Sequence, residues 1–168
     1  MGAVLIALFA DGGKLKTVLM KRPDYDGTHA GQVSFPGGKV EEEDADVIQT
    51  ALREAEEEVN IKPHEVRVIG QLTELYIPPS NFLVHPIVGI LDRVPELIPD
   101  AHEVESILIP ELSYLLRDDI IDETEIHLST GYKLRTPSFQ VEGHTVWGAT
   151  AMIISELKDV LQEAGIDV

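Results

Sequence analysis

The sequence predicts a single α/β domain, and three features carry that prediction. Apolar runs of strand length, Ala3 to Phe9 and Phe82 to Leu91, share the chain with stretches of helical period. In the stretch Ala45 to Val59, the residues Ile48, Leu52, Ala55 and Val59 recur at helical spacing and form one apolar stripe. The length of 168 residues suits one domain with a full core, and no repeat, linker or low-complexity segment divides it.

Taken in order, Ala3 to Phe9 reads as a buried strand, Asp11-Gly12-Gly13 as a turn, and Lys16 to Lys21 as a returning strand. Arg22 to Ala30 is a polar loop with Pro23 and Gly27, followed by a short strand from Gln32 to Phe35. The helix Ala45 to Val59 has Asp44 as its expected N-cap and Asn60 as a left-handed terminator. Val66 to Tyr76 and Phe82 to Leu91 read as long strands around a rigid turn, Ile77-Pro78-Pro79-Ser80-Asn81.

Asp92 to His102 is a Pro- and acid-rich loop. Glu103 to Ile109 tends to a strand, and Pro110 opens a short helix, Glu111 to Leu116. A hairpin is expected from Glu123 to Thr136 around Ser129-Thr130-Gly131, and a second small pair, Phe139 to Val141 with His144 to Trp147, around Glu142-Gly143. The last helix begins at Trp147 to Ala151, with Ile153, Ile154, Leu157, Val160 and Leu161 as its apolar face.

Composition narrows the function. There is no Cys, which removes disulfides and thiolate metal sites and suits a reducing cytoplasm. No apolar run approaches the roughly 18 residues of a membrane helix, and no basic-then-apolar leader is present. A formal charge of -17 argues against a nucleic acid polymer as partner. A small anionic substrate stays compatible with that charge if metal ions neutralise it locally. The six His residues form no cluster, so none is taken as a metal ligand.

The chemistry concentrates between Gly37 and Ile61. Glu54, Glu57 and Glu58 lie at i, i+3 and i+4, so all three carboxylates share one ridge beside the apolar stripe, while Glu56 points elsewhere. Crowded like charges repel on a bare helix, and a hard divalent cation such as Mg²⁺ relieves that repulsion. An acidic run alone is usually a solvated face. Here Gly37-Gly38 stands upstream and Arg53 adjoins the first carboxylate, which favours a site.

These residues resemble the Nudix box, the signature of hydrolases acting on a nucleoside diphosphate linked to another group. Arg53-Glu54-Ala55-Glu56-Glu57-Glu58-Val59-Asn60-Ile61 matches its second half, with Asn60 in place of Gly. The first half departs: Asp44 stands where the first Glu would be, and Gly38 to Arg53 is one residue longer than usual, an extra residue that resembles the coenzyme A diphosphatase subgroup. That subgroup's second signature is matched by Arg22, Gly31, Val33, Phe35, Pro36, Gly37 and Gly38, with Pro23 replacing Ser and Gly27 replacing a second Arg. The segment Tyr76 to Ser80, the following Phe82, Val84, Pro86, Val88 and Gly89, and the Trp147-Gly148-Ala149-Thr150-Ala151 helix entry are similar to it as well.

The resemblance implies a Nudix-type α/β/α sandwich, a mixed β-sheet between the box helix and the C-terminal helix. Relatives often carry an N-terminal extension, and a core strand starting almost at residue 1 is compatible with one missing here. It also implies metal-dependent hydrolysis of a pyrophosphate bond, with coenzyme A or a derivative as the first substrate. Glu54, Glu57, Glu58 and the Gly38 carbonyl would hold Mg²⁺ or Mn²⁺, with Glu57 as the base. Arg53 would orient the glutamates, and Glu103, with Glu105 as fallback, would assist a metal or the attacking water. Arg22, His29, Gln32, Tyr76, Ser80 and Phe82 are the expected substrate contacts, the two aromatics and the loop residues also having ordinary structural readings. Gly27 keeps ADP-ribose, dinucleotides and nucleoside triphosphates in play as substrates. A non-catalytic nucleotide-binding module is the third reading, disfavoured by the intact box acids. The expected partner is a small nucleotide, and a homodimer is left open.

Overall fold

The computed structural model describes residues 1–24, 31–127 and 133–166. Its largest sheet is mixed. Strand β1 (Gly2–Asp11) runs parallel to β8 (Phe82–Leu91), with Gly2 opposite Val84 and Phe9 opposite Leu91. Along the other edge of β1 lie β2 (Lys14–Thr17) and β5 (Gly37–Lys39), both antiparallel. Beyond β8 come β6 (Val66–Gln71) and β7 (Leu75–Ile77), also antiparallel. A second sheet joins β4 (Val33–Ser34), β3 (Leu19–Lys21) and β9 (Ser106–Leu108); a third joins β10 (Ile121–His127), β11 (Lys133–Val141) and β12 (His144–Trp147).

The alternation of β1 builds two cores at once. Ala3, Leu5, Ala7 and Phe9 face the helix α1 (Val47–Val59) and pack with Ala51, Ala55 and Val59. Ile6 and Leu8 face the opposite way, where they share a core with Ile153, Ile154, Leu157 and Leu161 of α3 (Gly148–Glu163). Phe139, Val141 and Val146 of the third sheet join that second core, as does the short helix α2 (Leu112–Leu115). The expected sandwich, a mixed sheet between the box helix and the last helix, is therefore the observed one.

Several boundaries differ from expectation, each for a local reason. The helix starts at Val47, capped by Asp46, whose side chain accepts the Gln49 N–H at 2.8 Å; Asp44 is not the cap because Arg53 holds it. Its buried face runs through Thr50, Ala51, Ala55, Glu58 and Val59, the two alanines allowing close approach to β1, and Ile48 is left exposed. The strand expected over Val66 to Tyr76 breaks after Gln71, opposite Pro86, which has no N–H to offer a neighbour. There Leu72 N–H donates to Pro86 O, and Thr73 N–H is taken by the Glu156 carboxylate of α3.

Lys16 to Lys21 divides at Val18 between the first and second sheets, Thr17 N–H turning to Pro110 O. Gly37–Lys39 is a strand that the glycines did not announce. The two expected small hairpins are one meander, with β11 continuous through Val141, and the Ser129-Thr130-Gly131 turn lies outside the described residues. Val160 of α3 is exposed, and Lys158 is buried in its place.

Candidate active site

The C-terminal half of α1 lies over β5, and that contact builds the site. The helix ends at Asn60, which adopts φ 65° and donates its backbone N–H to Glu56 O at 3.0 Å, while its side-chain amide reaches Glu96 O at 2.8 Å. The Gly of the family box is thus replaced by a residue that tolerates the left-handed turn and adds a bond of its own.

Glu58 is the innermost of the acids, 1% exposed. Its Oε2 accepts the Gly37 N–H at 2.8 Å and its Oε1 accepts Arg22 Nη2 at 2.9 Å. Burial pushes its carboxyl up to about 7, against the opposing pull of Arg22 and the Gly37 amide. Glu54 sits against Gly38 so closely that a methyl there would lie 2.3 Å from Glu54 Oε1. Burial also raises the Glu54 carboxyl, with the charges of Glu57 and Glu103 adding to the rise and Arg53 opposing it. Glu57 is the outermost of the ridge, its side chain 60% exposed.

Arg53 ties these groups together. Its Nη1 donates to Glu54 Oε1 at 3.0 Å and to Glu57 Oε2 at 3.2 Å, and its Nη2 donates to Lys39 O at 3.0 Å. Asp44 grips the other edge of the same guanidinium through Nε and Nη2, both at 3.0 Å. The Arg53 bond, joined by the Glu41 N–H and the Thr50 hydroxyl, holds the Asp44 carboxyl well below the usual carboxylate range.

The remaining expected residues fall as follows. Arg22 is engaged with Glu58 and Gly37 O, and its Nη1 lies 4.0 Å from Glu103 Oε2. Glu103 is therefore at the site's edge, whereas Glu105 is bound by Lys21 at 2.8 Å. Gln32 is half-buried beside β4, its carbonyl accepting the Arg22 N–H at 2.9 Å. Tyr76 is exposed and donates its hydroxyl to Asn81 Oδ1 at 2.9 Å; the Ser80 hydroxyl donates to Ile77 O at 3.3 Å. The Phe82 ring packs against Gly2 and the α3-side core, at the end of β1 that also holds Gly37–Lys39. The Gly38 carbonyl oxygen lies against the same side of Gly2 as the Phe82 ring. His29 and Gly27 lie outside the described residues.

The Gly37 amide and the Asp44 clamp are the contributions that sequence reasoning missed. The only signal for the amide was the Gly-Gly pair itself, and Asp44 was visible as an acid at the family's first Glu position.

The donor set fits a hard divalent cation. It is all oxygen, it carries more carboxylate charge than its arginines balance, and one Arg53 nitrogen already bridges Glu54 and Glu57. The glycine at 38 leaves the Glu54 carboxylate a cradle that any side chain would fill. Among the described residues, no three acid or His side chains stand already converged, so closure of a coordination shell requires rotamer shifts on the ridge.

Fold and site together define an α/β sandwich with an acidic helix edge seated on a Gly-Gly strand. The chain belongs to the Nudix family, whose model, the NUDIX domain, matches residues 1–126. It is 40% identical to the mouse peroxisomal coenzyme A diphosphatase NUDT7 over 124 residues, 74% of this chain and 52% of that protein. It is 36% identical to the human mitochondrial coenzyme A diphosphatase NUDT8 over 128 residues, 76% of this chain and 54% of that protein. The chain thus spans about half the length of these relatives. A Nudix hydrolase from M. smegmatis, RenU, shares the fold with a TM-score of 0.67 at 15% identity, covering 99% of this chain and 87% of that one. No helix of the described residues is long and apolar enough to cross a membrane.

Proposed function

We infer that this chain hydrolyses the pyrophosphate bond of a nucleoside-diphosphate-linked small molecule, with coenzyme A or a derivative as the first substrate. The observation that carries the reading is Glu54 seated on Gly38 and joined to Glu57 through one Arg53 nitrogen. The similarity to two coenzyme A diphosphatases supports the substrate class.

Phosphoryl transfer needs charge neutralised and a nucleophile aligned more than it needs covalent help. Glu54, Glu57, Glu58 and the Gly38 carbonyl are the groups that would hold Mg²⁺ or Mn²⁺. Such a cation, when bound, polarises the phosphoryl oxygens and lowers the pKa of a bound water. Glu57, exposed at the ridge's outer end, accepts the proton of the attacking water, and Glu103 assists from the facing loop. Arg53, held by Asp44, keeps Glu54 and Glu57 aligned. A water oxygen–phosphorus bond forms and the anhydride bond breaks, giving adenosine 3′,5′-bisphosphate and 4′-phosphopantetheine from coenzyme A. Gln32, Tyr76, Ser80 and Phe82 are proposed on the substrate side, with His29 as a further candidate. The absence of Cys suits a reducing compartment such as the cytoplasm.

Gly27, in place of the subgroup's second Arg, favours a second reading in which ADP-ribose, a dinucleotide or a nucleoside triphosphate is preferred. A product-resolved hydrolysis panel with Mg²⁺ and with Mn²⁺ separates the two. Preference for coenzyme A or acetyl-coenzyme A supports the first, preference for another diphosphate the second, and no turnover by folded protein rejects both.

A further inference from the structure

Arg22 closes the polypeptide around the deepest acid of the site. It follows β3 directly, and its N–H donates to Gln32 O at 2.9 Å, so its backbone is fixed at the mouth of the loop. Its Nη2 donates both to Glu58 Oε1 at 2.9 Å and to Gly37 O at 3.3 Å. The Gly37 N–H in turn donates to Glu58 Oε2 at 2.8 Å, so Arg22, Glu58 and the Gly37 peptide form a closed ring of hydrogen bonds. The Arg22 side chain is 22% exposed and that of Glu58 1%. Turning this guanidinium outward to grip a substrate would leave a buried carboxylate without its cation, an expensive state. The other terminal nitrogen, Nη1, lies 4.0 Å from Glu103 Oε2, beyond hydrogen-bond distance.

We propose that Arg22 is a positioning residue that holds Glu58 and the Gly37–Gly38 strand in register, and does not grip substrate. The proposal rests on the catalytic reading above, in which Glu58 is a metal ligand and Gly38 lies beside it. Ligand-orienting partners of this kind usually change metal affinity or activity by about 10–100-fold when removed. Lys at this position keeps a positive charge but carries it on a single compact ammonium in place of the planar guanidinium.

The test compares wild type, Arg22→Gln and Arg22→Lys, with folding checked by circular dichroism. Mn²⁺ binding is titrated without substrate, and kcat and KM for coenzyme A are measured at saturating Mn²⁺. The expected result for Arg22→Gln is Mn²⁺ affinity about tenfold or more weaker, a lower kcat, and KM within about twofold of wild type. Arg22→Lys should fall between the two, and it carries the comparison alone if Gln prevents folding. Arg22→Gln should also add little to Glu58→Gln, because both disrupt one unit. A KM about tenfold higher with unchanged Mn²⁺ affinity would make Arg22 a substrate contact and overturn the proposal. Wild type that neither binds Mn²⁺ nor hydrolyses any diphosphate would overturn the catalytic reading itself, and this inference with it.

Discussion

Asp44 and Arg53 form a two-pronged pair, Nε to Oδ1 and Nη2 to Oδ2, both at 3.0 Å, with the Asp44 side chain only 2% exposed. The pair leaves Arg53 Nη1 aimed at Glu54 and Glu57. The box arginine is thus fixed from behind by a residue that precedes the helix.

Asp44→Asn should therefore act on the chemistry through Arg53. It removes one charged acceptor and the fork geometry, and kcat should fall about 10–100-fold with KM little changed. Asp44→Glu keeps the carboxylate and should retain more activity than Asn. Steady-state kinetics of the two variants check the order; equal losses would contradict it.

Glu57 is the exposed end of the ridge, and its replacement should separate activity from stability. Glu57→Gln should lower kcat about 10²–10⁴-fold, the range for loss of a general base. Its unfolding free energy should stay within about 0.5 kcal/mol of wild type, as for other surface changes. Activity assays beside urea melts read both quantities.

The two glycines make opposite predictions. A methyl at Gly37 would meet Ala3 O at 2.3 Å and Val4 Cα at 2.6 Å, both backbone atoms that cannot yield. Gly37→Ala should destabilise the fold by at least about 1–3 kcal/mol. At Gly38 the obstacle is the Glu54 carboxylate, which can swing away. Gly38→Ala should fold normally and lose Mn²⁺ affinity by about tenfold or more. Thermal melts and Mn²⁺ titrations of the two variants distinguish them.

Much of this was legible in sequence, for reasons that also mark the limits. The carboxylate ridge follows from helical spacing alone, and the strand pattern of Ala3 to Phe9 follows from its apolar content. The depth of Glu58 does not. Glu54, Glu57 and Glu58 look equivalent as neighbours on a helix, and only the approach of Gly37 and Arg22 makes the last one buried. Asp44 and Asp46 are equally good caps by type, and the choice between them is made by Arg53, nine residues further on from Asp44. Ile48 was expected inside because it is apolar, but the helix contacts β1 through alanines and leaves it in solvent. The break at Leu72 follows from Pro86 on a strand that pairs with it only in three dimensions.

The buried acid gives a pH dependence whose sign is fixed. Burial raises the folded-state Glu58 carboxyl from 4.5 to about 7, so between those values the folded protein holds a proton that the unfolded chain has lost. Stability of metal-free protein should therefore fall as pH rises through that window, by roughly 2–4 kcal/mol from this residue. The Glu54 carboxyl is shifted the same way by burial and adds to the slope. Urea melts in EDTA at pH 5, 6 and 7.5 read the effect. Mg²⁺ should flatten the slope by stabilising the ionised folded form, and a flat profile in EDTA would contradict the burial of the charge.

The most direct test of the central claim follows coenzyme A hydrolysis by product-resolved chromatography, with Mn²⁺, with EDTA, and with Glu57→Gln in place of wild type. The predicted result is equimolar adenosine 3′,5′-bisphosphate and 4′-phosphopantetheine from wild type with Mn²⁺ alone. Equal turnover by Glu57→Gln, or turnover undiminished by EDTA, would contradict a reaction run by this carboxylate ridge.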